Sequence, residues 1–230
     1  MRDKERGAST ETAVERSYEA IKEMAEAFTL RPGERLNESE LSRQLGVSRT
    51  PLREAMNRLV SENFLDFVPS KGFFRKVIKP REIYELYELR WALETAAARF
   101  AVIKGSDVQI AQLGVLLEEF APMETRPVDN IVKVVQYDER FHEMIAGMSG
   151  NSELVAALRS VNVRIRPLRY LGIGASHLMA GQKEHKQMFN ALRRRDADTL
   201  AALLGGHVGR RLDEIEGAVR ELYGMIYVDG

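Results

Sequence analysis

From Arg81 onward, apolar side chains recur every three or four positions and no stretch alternates apolar with polar. A segment of that kind buries stripes rather than sheet faces, so it packs helix on helix. Interruptions near Gly105, Pro122 to Pro127, Gly150-Asn151, Gly172 to Gly174 and Asp196 divide it into six helices. No internal repeat or low-complexity tract stands out.

The N-terminal part follows other rules. Residues 1–11 are polar and irregular and are expected to form a flexible tail. Val14, Tyr18, Ile21, Met24 or Ala25, and Phe28 then mark a first helix that ends before Arg31-Pro32-Gly33. Asn37 is suited to cap a second helix, with Glu40 three residues on as in a capping box, and Leu45-Gly46 closes it. The residue before a proline avoids the helical region, so Thr50 is the expected N-cap of a third helix and Pro51 its first residue, the helix running to Glu62. Leu65 to Val68 and Phe73 to Val77 flank Pro69-Ser70-Lys71-Gly72 and read as a β-hairpin, and Pro80 closes the domain.

Composition narrows the chemistry. Cysteine is absent, so any metal must be held by His, Asp or Glu, and disulfides and thiol nucleophiles are excluded. The chain has neither an apolar run of about 18 residues nor a basic-then-apolar leader, so a cytoplasmic protein without a membrane partner is expected. A formal net charge of zero conceals an asymmetry. Arg31 to Pro80 carries ten Lys or Arg against six Asp or Glu (net +4), and Asp107 to Gly150 carries three against eight (net −5). The first region suits a phosphate backbone and the second does not.

Two short helices joined by Leu45-Gly46-Val47-Ser48 and followed by a hairpin form the arrangement in which the second helix enters a major groove and the hairpin acts as a wing. Leu52, Ala55, Met56 and Leu59 make the inward stripe of that helix, which leaves Arg49, Thr50, Arg53 and Asn57 outward. Arginine reads guanine edges and asparagine adenine edges, and either can hold a phosphate. Arg35, Ser39 and Ser48 are candidates for backbone contacts, and Lys71-Gly72 at the wing tip for the minor groove or phosphates.

The ordered run Leu30-Arg31-Pro32-Gly33-Glu34-Arg35-Leu36-Asn37-Glu38, Leu41-Ser42-Arg43-Gln44-Leu45-Gly46-Val47-Ser48-Arg49-Thr50-Pro51-Leu52-Arg53-Glu54-Ala55 and Arg58-Leu59 closely resembles the GntR family of bacterial regulators. The resemblance implies a mainly α fold with a winged helix-turn-helix over residues 12–79. It makes Arg49 and Arg53 the principal DNA contacts, supported by Ser48, Thr50 and Lys71-Gly72. At one matching position some relatives carry arginine where this chain has Ser39.

In the helical part, polar residues on apolar stripes are the informative anomaly. Asp138 and His142 lie on the stripe of Ile131, Val134, Val135, Phe141, Ile145 and Met148. Gln182 and His185 lie on that of Leu178, Met188, Phe189 and Leu192, and His207 and Arg211 on that of Leu200, Leu204, Val208, Leu212 and Ile215. Three of the four histidines thus point inward with one carboxylate, either as a satisfied hydrogen-bond network or as ligands of a divalent cation. His177, near a helix start, is expected at the surface.

That order of Asp-x-x-x-His and two later histidines, with Tyr87 to Glu94 opening the segment, resembles the FCD sensor domain of the FadR subfamily, and six helices resemble its VanR-like branch. The resemblance implies an effector-binding domain over residues 80–230, with Asp138, His142, His185 and His207 holding zinc, nickel or manganese. Two octahedral positions would remain for water or an effector carboxylate. Arg90 shares the stripe of Ile83, Leu86, Leu93, Ala97 and Phe100, where a guanidinium needs an anion. Glu94 one turn later can neutralise it; otherwise Arg90 binds an acidic effector, with Asn162, Arg166, Gln182 and Arg211 as helpers. The expectation is a homodimeric DNA-binding regulator, a repressor, that reads a palindromic operator and responds to a small organic acid. A metal-dependent enzyme, a metal-free acyl-CoA-responsive regulator and a purely architectural DNA-binding protein are the alternatives.

Overall fold

The computed structural model describes residues 12–26, 29–77, 79–120, 131–172 and 175–228. The chain divides into two compact units, Met1–Ile78 and Lys79–Gly230. Residues 1–11 and Phe28 lie outside the described residues, as does the Pro122 to Pro127 segment.

The first unit holds α1 (Ala13–Glu26), α2 (Glu38–Leu45), α3 (Arg49–Ser61), β1 (Leu65–Val68) and β2 (Gly72–Arg75). Helix α1 buries Tyr18, Ile21 and Ala25 and packs against α3. Asn37 caps α2 as its type and position dictate: its Oδ1 accepts the N–H groups of Ser39 and Glu40 at 3.1 and 3.2 Å. Gly46 ends α2 in the left-handed region at φ 63°, where a side chain would be strained, and its N–H returns to the Ser42 carbonyl.

Helix α3 begins earlier than the proline suggests. Ser48, not Thr50, is the N-cap, and Arg49 is the first helical residue. A proline at the third position is tolerated because its missing N–H belongs to the first-turn donors that lack partners anyway. Its ring opposes Val47, which lies outside the helix. The inward stripe is the expected one, with Leu52, Ala55, Met56 and Leu59 all fully buried.

The hairpin pairs Leu65 with Arg75, Asp66 with Phe74, Phe67 with Phe73 and Val68 with Gly72. Its second strand stops at Arg75 rather than Val77. The Lys76 N–H turns to the Phe64 carbonyl, and the buried Arg75 Nη1 donates to the carbonyls of Phe64 and Lys76 at 2.9 and 3.3 Å. Burial pushes the Arg75 guanidinium down to about 10. The outer edge of β2 is covered by Gly33 to Leu36: Gly33 N–H donates to the Arg75 carbonyl, Arg75 N–H to Glu34 and Leu36 N–H to Phe73.

The second unit comprises α4 (Pro80–Lys104), α5 (Asp107–Phe120), α6 (Ile131–Gly147), α7 (Ser152–Gly172), α8 (Ala175–Arg193) and α9 (Ala197–Val228), six helices among the described residues. Helix α4 packs against α6, α7 and α9, and α8 against α5 and α9. One apolar cluster, including Leu113, Phe141, Ile145, Met188, Leu192, Leu200 and Leu204, joins five of them. Phe100 departs from expectation and is 40% exposed, because Ala97, Ala98 and Ala101 take the inward positions of that turn. No described helix is long and apolar enough to cross a membrane.

Candidate nucleic-acid interface and candidate metal centre

On the first unit, Arg35, Ser39, Ser48, Arg49, Thr50, Arg53, Asn57 and Lys71 are exposed and Gly72 is half-buried. Helix α3 presents its first turn beside that of α2, since the Asn37 cap and the Gly46 turn fix how the two helices meet. Arg49 Nη2 donates to Ser39 Oγ at 3.0 Å, and Arg53 Nη1 to Glu38 Oε2 at 3.3 Å. Arg35, Asn37, Glu38, Ser39, Arg49, Arg53 and Gly72 line one polar depression of about 540 Å³. Ser48, Thr50, Asn57 and Lys71 lie outside its lining. The surface offers several guanidinium forks of the kind that pair with base edges and phosphates.

In the second unit, ligand atoms of Asp138 and His142 on α6, His185 on α8 and His207 on α9 lie within 4.8 Å of one another, and all four residues are buried. The Nε2 atoms of His185, His207 and His142 face Asp138 Oδ1 at 3.3, 3.5 and 3.8 Å. None of the three makes a hydrogen bond. Two rings are oriented from behind by carboxylates: His142 Nδ1 lies 2.5 Å from Glu94 Oε2, and His207 Nδ1 lies 2.6 Å from Glu184 Oε2. A carboxylate there keeps the proton on Nδ1 and directs the Nε2 lone pair inward. The third ring, His185, is stacked on Phe141 with centroids 4.1 Å apart.

Burial pushes His185 down to about 4, against its contact with Asp138, and also lowers His142 despite Glu94. His207 shifts upward because Asp138 and Glu184 outweigh its burial. Burial would raise the Asp138 carboxyl, but the Arg169 guanidinium 2.5 Å from its Oδ2 holds it well below the usual carboxylate range. Three imidazole Nε2 atoms without hydrogen bonds, facing one carboxylate oxygen, are a donor set for a borderline divalent cation. The residues present fit such an ion.

Arg90 is fully buried, with Nε 2.6 Å from Glu94 Oε1, while its Nη1 and Nη2 atoms lack hydrogen bonds. Glu94 therefore spans Arg90 and His142, and despite its burial these two partners bring it down to about 2. Asn162 is fully buried with neither amide atom bonded, and Gln182 Oε1 is buried and unbonded one turn before His185. Arg211 is buried one turn after His207, in space that Gly181 leaves open: a Cβ there would lie 2.7 Å from Arg211 Nη2. Arg166 is paired through both Nε and Nη2 with Glu139 at 3.1 and 2.8 Å, the carboxylate that Arg169 Nη1 also meets at 3.4 Å.

Residues 13–74 match the family described as "Bacterial regulatory proteins, gntR family", and residues 85–210 match the "FCD domain". The "Nta operon transcriptional regulator" of Aminobacter aminovorans is 40% identical over 205 residues, which is 87% of this chain and 95% of that protein. This chain belongs to the GntR family. It is a DNA-binding transcriptional regulator with an FCD domain behind its winged helix-turn-helix. The solved structure titled "E. coli McbR/YncC" aligns with a TM-score of 0.69 at 25% identity, covering 94% of this chain and 99% of that one. A putative GntR regulator from Rhodococcus sp. RHA1 aligns at 0.70 and 24% identity over 89% and 98%, which supports the fold.

Within this GntR regulator the four ligand candidates come together, as do Arg35, Ser39, Arg49, Arg53 and Gly72 of the nucleic-acid candidates. The side chain of His177 lies outside those described. Sequence reasoning missed Arg169, Glu139, Glu184 and Glu38. The first three are polar residues on helices that also carry buried candidates, and an inward-stripe search extended along α6, α7 and α8 would have flagged them. Glu38 carried no signal beyond its place in the first turn of α2.

Proposed function

We propose that this regulator is a repressor controlled by a small carboxylate metabolite bound at a metal in the FCD domain. The observation that carries the reading is the set of three buried Nε2 atoms turned on Asp138 Oδ1 without hydrogen bonds, two of them aimed from behind by Glu94 and Glu184. Zinc, nickel or manganese suits nitrogen and oxygen donors of this kind. When bound, the ion would supply Lewis acidity toward an effector carboxylate, and Arg90, whose Nη1 and Nη2 make no hydrogen bond although Nη2 lies 3.7 Å from Asp138 Oδ2, would hold the same anion. Asn162, Gln182 and Arg211 complete the polar surroundings, and Arg169 fixes the second oxygen of Asp138.

DNA reading is assigned to Arg49 and Arg53, with Arg35, Ser39, Ser48, Thr50, Asn57 and Lys71-Gly72 in support. The regulator acts in the cytoplasm as a homodimer on a palindromic operator with half-sites about one helical turn apart. Helix α4 carries both Arg90 and Glu94 and starts five residues after β2 ends, so an anion seated on Arg90 would act on the element that directly follows the wing in the chain. The decisive experiment combines elemental analysis of protein purified without nickel resin with operator titrations in the presence and absence of mono- and dicarboxylates and sugar acids. A metal-free protein whose operator affinity no acid alters would overturn the reading.

A further inference from the structure

On the surface assigned to DNA, one carboxylate stands among guanidiniums. Glu38 is the first residue of α2, its side chain 22% exposed, and its Oε2 lies 3.3 Å from Arg53 Nη1. Its other oxygen faces the wing: a Cβ on Gly72 would lie 3.9 Å from Glu38 Oε1 and 3.9 Å from Arg35 Nε. Arg53 is further located by the ring of Phe73, 5.6 Å from the guanidinium carbon to the ring centroid. Glu38 thus stands between α2, the outward face of α3 and the first residue of β2.

A carboxylate facing nucleic acid weakens binding to every duplex, because phosphates repel it. The compensation lies in the geometry it imposes on Arg53. A guanidinium presents its donors in a rigid fork, and a partner on Nη1 leaves Nε and Nη2 as a two-donor edge, the pattern that matches guanine O6 and N7. We propose that Glu38 is a positioning residue for base selectivity: it fixes Arg53 so that this remaining edge meets a base, and it keeps the same guanidinium from settling on a phosphate. Arg49 differs, since its partner is the neutral Ser39 hydroxyl at 3.0 Å, which orients without repelling phosphate. Selectivity through Arg53 therefore depends on Glu38, and selectivity through Arg49 does not. The proposal rests on the assignment of Arg53 as a DNA contact.

The test uses the full-length protein, a duplex selected by the wild type from a randomised library, and a scrambled duplex of equal length, titrated over a range of salt. Glu38→Gln removes the charge. Glu38→Asp keeps the charge and the favourable helix N-terminus but shortens the reach to Arg53. Both variants should reduce the ratio of specific to scrambled affinity by roughly fivefold or more, the scale of one base contact. Scrambled binding by Glu38→Gln should stay equal or rise. In an Arg53→Ala background neither change should lower the ratio further, whereas in Arg49→Ala the full reduction should remain.

The proposal is overturned if Glu38→Gln strengthens both duplexes equally, if Glu38→Asp behaves as wild type while Glu38→Gln does not, or if the loss persists without Arg53. Should Arg53→Ala alone leave the ratio unchanged, the assignment of Arg53 fails before the role of Glu38 is reached. Matching circular dichroism spectra and melting curves confirm that each variant compared is folded.

Discussion

Arg169 on α7 holds Asp138 on α6 with Nη2 2.5 Å from Oδ2, and both residues are buried. The pair leaves Oδ1 turned toward the three imidazoles. Breaking a buried pair costs about 3 to 5 kcal/mol when the remaining charge is left uncompensated, and here Arg90 Nη2, 3.7 Å from the same Oδ2, offsets part of that cost. Arg169→Leu should therefore lower the unfolding free energy of the metal-free protein, obtained from urea titration, by up to that amount. Added divalent metal should recover part of the loss, since the ion replaces the missing positive charge at Asp138. Equal stability of variant and wild type without metal would show that Arg169 does not neutralise Asp138.

Metal removal should destabilise the protein. A ligand that binds only the folded state contributes about 2.7 kcal/mol at a hundredfold excess over its dissociation constant, so chelation should lower Tm and readdition restore it. Glu94→Gln and Glu184→Gln weaken the orientation of His142 and His207, and each should reduce metal affinity about tenfold to a hundredfold. Competition with a chromogenic chelator gives the affinities. Unaltered melting on adding zinc, nickel or manganese would return the three histidines to the role of core residues.

Arg49→Ala and Arg53→Ala should each weaken specific operator binding by about 1 to 3 kcal/mol, with secondary structure and assembly preserved, because both side chains are on the exposed face of α3. Binding should fall steeply with salt, and the slope should become shallower for a variant that loses a phosphate contact. Fluorescence anisotropy over a salt series measures both quantities. Wild-type affinity in a correctly assembled double mutant would remove α3 as the reading element.

Arg90 carries the prediction for the switch. Linkage requires that an acid which alters operator affinity has its own affinity altered by operator to the same degree, with about 1 to 3 kcal/mol an ordinary coupling. Arg90→Ala should abolish the thermal shift given by the best-binding acid and its effect on operator titrations, while elemental analysis still finds metal. His142→Ala should lose both metal and response. A tightly bound acid that leaves operator affinity unchanged would show that this pocket is not the sensor.

Much of the fold follows from local patterns. Asn37 and Gly46 bound α2 because a side-chain acceptor and a residue free to take positive φ are needed at those two ends. The stripe of Leu52, Ala55, Met56 and Leu59 decides by period alone which face of α3 turns outward. The same argument brings Asp138, His142, His185 and His207 inward. Thr50 and Phe100 show where it weakens: a helix start tolerates proline beyond its first position, and a long helix rotates its buried stripe away from a fixed count.

The sequence by itself determined that charged and imidazole groups would be buried in this protein, and burial demands partners. It did not determine which partners. Glu94 and His142 are 48 residues apart, Asp138 and Arg169 31, and Glu184 and His207 23. Any acid on an inward face could neutralise any inward cation, so hydrophobic periodicity leaves these pairings degenerate. Only the packing of α4 against α6, of α6 against α7 and of α8 against α9 selects among them, because a hydrogen bond and an ion pair in a dry interior fall off within a few ångströms.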